Sequence, residues 1–144
     1  MSGTGNHEAG VGTQNANAHA PEHVGLPGYE GIITDRVLTL AERMRDGGYQ
    51  TYISGKWHLG SEIGVNTPYD RGFERTFALM SGGSNDHFRP DHLDVMPYLL
   101  DGEMMDTLPD DFYSTNAYVD YMIEFISEGD ADQPFFAWFS PTSP

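Results

Sequence analysis

Gly48-Tyr49-Gln50-Thr51-Tyr52-Ile53-Ser54-Gly55-Lys56-Trp57-His58-Leu59-Gly60 is the stretch that decides how the chain is read. Tyr49 to Ser54 is a short β-type run that breaks at Gly55, after which a lysine and a histidine stand two residues apart. In an extended segment, residues i and i+2 project to the same side. One fixed cation and one titratable imidazole therefore enter the same space, flanked by two glycines that permit close backbone approach. Such a pair suits the grip of an oxyanion. Upstream, a helix is expected from Thr34. Thr34 or Asp35 caps it, Val37, Leu40, Ala41 and Met44 form its apolar stripe, and Gly47-Gly48 stops it. The helix thus delivers the strand directly.

The same order returns downstream. Ala117, Tyr118, Tyr121, Met122, Phe125 and Ile126 share one face of a second helix, closed by Gly129. Phe135-Phe136-Ala137-Trp138-Phe139 follows Pro134 as a continuous apolar run, the pattern of a strand buried on both faces. Residues 1 to about 30 lack apolar periodicity and read as loop, and 61 to about 108 read mostly as loop with short elements. Helix–strand followed by helix–strand predicts an α/β fold with a mainly parallel sheet. Ligands in such sheets sit beyond the carboxyl ends of the strands. Both the Lys56/His58 loop and Ser140-Pro141-Thr142-Ser143-Pro144 leave strands at that edge.

Composition narrows the functions. The 144 residues carry 22 acidic and 7 basic side chains, a formal charge of −15. That excess opposes nucleic acid and anionic membranes as partners, since both require basic patches. An anionic ligand then demands a local concentration of cations, and Lys56 is the only lysine. With no cysteine there is no disulfide, thiol nucleophile or cysteine metal site. No apolar run approaches the ~18 residues of a membrane span, and the N-terminus carries no signal-peptide pattern.

Gly-Tyr-x-Thr followed by Gly-Lys-Trp-His-Leu-Gly, here within Gly48 to Gly60, resembles the second signature of the sulfatase family. Weaker matches run in the family's order along nearly all the chain. They include Gly10-Val11-Gly12-Thr13, Pro27-Gly28-Tyr29-Glu30-Gly31, Arg71-Gly72-Phe73, Leu108-Pro109-Asp110-Asp111-Phe112-Tyr113-Ser114-Thr115 and Pro134-Phe135-Phe136. The chain looks like an interior slice of an arylsulfatase in the alkaline-phosphatase-like superfamily. The resemblance implies part of a mixed, mainly parallel sheet flanked by helices. It makes residues 1–144 a partial N-terminal catalytic domain, truncated at both ends. It implies cleavage of a small-molecule or saccharide sulfate ester by a formylglycine nucleophile beside a divalent cation, usually calcium. The formylglycine is made by a formylglycine-generating enzyme from a Cys/Ser-x-Pro-x-Arg motif. By the same resemblance Lys56 contacts a sulfate oxygen, and His58 hydrogen-bonds the formylglycine hydroxyl and assists elimination of the bound sulfate.

The sequence departs from the family pattern in lacking that nucleophile motif and the acidic metal ligands, so no metal ligand is assigned here and the fragment alone is expected to be inactive. Choline sulfate, phosphonate or phosphate esters remain alternative substrates of the same scaffold, and a non-catalytic acidic interaction module is the alternative of another class. Relatives are often exported, but the sequence assigns no compartment. Of the remaining candidates, Asn85, Asp86 and His87 lie in a glycine-rich stretch, either as substrate contacts or as an ordinary turn. His7, His19 and His23 are spaced irregularly and read as solvated. Asp110 and Asp111 read as charges at a helix start. Arg71 reads as a structural ion-pair former, and Tyr118, Tyr121 and Phe125 as core. A slice of a larger sheet is also expected to leave strand edges and apolar helix faces uncovered.

Overall fold

The computed structural model describes residues 21–80 and 98–142. After a 3-10 turn at Pro21–His23 come α1 (Leu40–Asp46), β1 (Gln50–Lys56), β2 (Arg75–Leu79), β3 (Tyr98–Leu100), β4 (Glu103–Met104), α2 (Ser114–Glu128) and β5 (Phe135–Ser140). The strands form one sheet in the order β4-β3-β2-β1-β5. β1 is central to the site and parallel to both neighbours, with Gly55 opposite Ala78 on one side and Ser140 on the other. β3 and β4 add antiparallel pairs at the far edge. The sheet is mixed, its longest pairings parallel, with a helix on each face.

Alternation along the strands feeds two separate cores. Tyr52, Phe77 and Leu79 pack with Tyr118, Met122 and Phe125 of α2. Ile53, Trp57 and Ala78 pack on the other face with Ile33, Phe73 and Ala41 of α1. The second cluster explains how β1 reaches the parallel β2 through residues 57–74 without a helix. The connection packs on the sheet through Trp57 and Phe73, whose rings meet edge-on at 6.4 Å.

Four expectations need correction. The first strand does not break at Gly55 but runs through it to Lys56, because Gly55 pairs with Ala78 on one side and Ser140 on the other. The first helix begins at Leu40, not Thr34, because Thr39 and Glu42 form a capping box there. The carbonyls of Ile33, Thr34 and Val37 instead accept hydrogen bonds from the Arg71 guanidinium. Phe135–Ser140 is not buried on both faces: β5 is the last strand of the sheet, and Phe135 and Phe139 are exposed. Ile126 is likewise exposed rather than core. Tyr121 stacks on Phe77 with centroids 4.1 Å apart. That leaves the opposite flank of α2, with Val119, Ile123 and Ile126, turned toward β5. By register, Phe135 and Phe139 lie on the same sheet face as Tyr52, the face that α2 covers, so five exposed apolar side chains belong to that side of the sheet. The aromatic core assignment of Tyr118 and Phe125 stands.

Candidate active site

Lys56 is the last residue of β1, at the carboxyl edge of three mutually parallel strands. Trp57 turns inward and is buried, Lys56 is half-buried and His58 is exposed. Burial therefore alternates about the indole, with Lys56 before it and His58 after it both reaching solvent.

Each part of this loop is fastened by a named contact. Trp57 N–H donates to the Leu79 carbonyl at 3.0 Å, extending the β1–β2 pairing past the strand end. Its indole Nε1–H donates to the Asn66 carbonyl at 2.9 Å. Ile33 N–H donates to the Leu59 carbonyl at 2.6 Å. On the other side, Ser140 Oγ–H donates to the Lys56 carbonyl at 3.0 Å, tying the lysine's backbone to the end of β5. The two flanking glycines are required by close approach. Gly55 has φ +134°, and a Cβ there would lie 2.2 Å from the Ser140 carbonyl oxygen. Gly60 has φ +130°, and a Cβ there would lie 2.3 Å from Asn66 Oδ1. Both torsions lie where L side chains are strained.

Arg71 does not join the pair. It is buried, faces the Glu42 carboxylate at 3.3 Å, and spends its remaining donors on main-chain carbonyls. Burial pushes the Glu42 carboxyl up, but the Thr39 N–H and the Arg71 guanidinium outweigh it and hold the group below its ordinary range. Asp110 and Asp111 are exposed in the turn before α2. His23 lies beside the Tyr29 ring, with centroids 4.4 Å apart. His7, His19, Asn85, Asp86 and His87 lie outside the described residues.

Among the described residues no group of three or more His, Asp or Glu side chains converges as a metal site. These residues therefore do not fit the calcium that the resemblance implies. Nor does the sequence contain Cys/Ser-x-Pro-x-Arg for a formylglycine. Among the described residues no helix is long and apolar enough to cross a membrane. Sequence reasoning missed Asn66 and the supporting role of Ser140. The pattern placed Ser140 at the binding edge but gave no hint of its bond to the Lys56 carbonyl, and a buried asparagine in a turn gives no one-dimensional signal.

The arylsulfatase of Klebsiella aerogenes is 42% identical over 154 residues, covering 100% of this chain and 31% of the relative. An uncharacterised sulfatase of Schizosaccharomyces pombe is 36% identical, covering 100% of this chain and 28% of its own length. The chain thus spans about a third or less of these curated relatives. The solved structure of BT4656, in complex with its substrate D-glucosamine-2-N,6-O-disulfate, superposes with a TM-score of 0.60 at 21% identity. It covers 95% of this chain and 24% of that one, and shows the fold to be that of the alkaline-phosphatase-like sulfatases. A family model described as Sulfatase matches residues 1–144, and the chain belongs to the sulfatase family.

Proposed function

We propose that these residues form part of the catalytic domain of an arylsulfatase-like sulfuric-ester hydrolase, and that Lys56 and His58 act on the substrate. The observation that carries this reading is the position of Lys56 at, and His58 just past, the carboxyl end of β1, with the buried Trp57 between them. Lys56 there meets a sulfate oxygen and offsets the negative charge that grows as the ester bond breaks. A fixed charge at such a position typically supplies about 100- to 1000-fold in rate. His58 exchanges a proton with the hydroxyl of the attacking nucleophile, the role in which imidazole works best near neutral pH. The nucleophile, its formylglycine-generating enzyme and the divalent cation belong to the rest of such a domain, and no step here is assigned to them.

The substrate class is an aryl sulfate, on the 42% identity to an arylsulfatase. A sulfated saccharide is the second reading, supported by the sugar disulfate bound to the superposed neighbour. Lack of the nucleophile motif within these 144 residues favours a different second reading, a non-catalytic acidic interaction module. The deciding experiment expresses the complete gene product with the formylglycine-generating enzyme and calcium. It is then assayed on an aryl sulfate and on a glucosamine sulfate. Sulfate release from either supports the hydrolase, and the preferred ester names the class. No release from both, in a gene product lacking the nucleophile motif, gives the interaction module the lead.

A further inference from the structure

We infer that Asn66 is the positioning residue for His58, holding both ends of the short loop that carries it. The inference rests on the sulfatase reading above. Asn66 is fully buried at the base of the Trp57–Gly60 loop. Its N–H donates to the Glu62 carbonyl at 3.0 Å, and its Oδ1 accepts from the Glu62 N–H at 2.9 Å, closing residues 62–66 into a rigid turn. Its carbonyl accepts the Trp57 indole N–H at 2.9 Å. Its side-chain amide lies where a Gly60 side chain would go, within 2.3 Å of the position of a Cβ. His58 is thus the exposed residue between two anchors, Trp57 and Gly60, and both rest on this one asparagine.

The choice of an amide is informative. Nδ2 is buried and finds no acceptor among the described residues. A buried donor left open is unfavourable. The open donor is tolerated at the one residue on which the Trp57 indole and Gly60 both rest.

The test uses the complete gene product. Asn66→Ala is expected to lower kcat by about tenfold to a hundredfold with KM changed little, as a misplaced reacting group does. In a His58→Ala background the same change should cost almost nothing, because the two act through one group. Trp57→Phe removes the indole hydrogen bond to the Asn66 carbonyl, along with part of the buried ring. It carries the same cycle with a smaller loss if Asn66→Ala does not fold. Losses that multiply undiminished in the His58→Ala background overturn the inference. If no sulfate ester is hydrolysed, the sulfatase reading has failed, and the His58 ring resonances are compared by NMR in the substrate-free protein and its Asn66→Ala variant. Displaced or broadened His58 signals support the positioning role, and an unchanged His58 spectrum overturns it.

Discussion

Replacing Arg71 with methionine separates a structural guanidinium from a sulfate-binding one. The side chain is 7% exposed and its Glu42 partner 14%. Its Nη atoms also donate to the carbonyls of Thr34 at 3.1 Å and Val37 at 2.9 Å. Thr39 Oγ1–H, at the cap of α1, returns a hydrogen bond to the Arg71 carbonyl at 2.7 Å. Arg71 thus fastens the β1–β2 connection to the helix that precedes β1. Removing one partner of a buried pair strands the other charge and costs about 3–5 kcal/mol. With a urea dependence of about 2 kcal/mol per molar, the unfolding midpoint should fall by about 2 M. Fluorescence of the buried Trp57 reports the transition. Adding Glu42→Gln removes the stranded carboxylate and keeps an acceptor for the Thr39 N–H. The double variant should therefore recover roughly 1–2 kcal/mol. A single-variant loss below about 1 kcal/mol, or a double variant less stable than the single, would refute the reasoning. A KM for sulfate ester that rises tenfold, with the midpoint unmoved, would make Arg71 a ligand instead.

Further expectations follow from the same contacts. Gly55→Ala drives a methyl group into the Ser140 carbonyl at a strained torsion. It should destabilise the β1–β5 pairing by about 1–3 kcal/mol, read by urea unfolding, and lower the turnover that depends on Lys56. The pH dependence of stability follows from Glu42 and Glu30. The folded value of Glu42 is lowered from 4.5, and that of Glu30 is brought to about 2, chiefly by the Arg36 guanidinium. Between the unfolded and folded values the unfolded chain binds more protons, so this stabilisation is present above pH 4.5 and is lost as pH falls through the folded values. The stability gap between the protein and its Glu42→Gln variant should therefore narrow below pH 4.5. A gap that widens there would contradict the assignment. The exposed side chains of Val119, Ile123, Ile126, Phe135 and Phe139 should drive association of the 144-residue chain expressed alone. Ile123→Lys with Phe139→Lys should raise the monomer fraction in size-exclusion chromatography.

The parts legible in the sequence were those carried by short-range pattern. Gly48 to Gly60 specified a strand, because alternation acts locally, but Gly55 did not end it: parallel partners on both sides carry the pairing through the glycine to Lys56. The parallel β1–β5 pairing followed from two helix–strand repeats. The central strand β2 went unread: Arg75–Leu79 has only five residues, too few for a period to declare itself. The start of α1 was misplaced because Thr34 and Thr39 are equally good caps in one dimension. Arg71, far along the chain, donates to the carbonyls of Ile33, Thr34 and Val37 and holds that stretch out of the helix. β5 looked doubly buried because its composition is apolar, whereas its burial depends on what lies beside it in space. Asn66 was invisible for the same reason, since its importance comes from Gly60 and Trp57 meeting it across a turn.

The most direct measurement is aryl sulfate hydrolysis by the complete gene product, supplied with calcium and the formylglycine-generating enzyme. Lys56→Ala and His58→Ala would be assayed beside it. The account predicts activity that falls at least about a hundredfold in each variant while the folded state is retained. An active enzyme indifferent to both substitutions would contradict the placement of the active site at the end of β1.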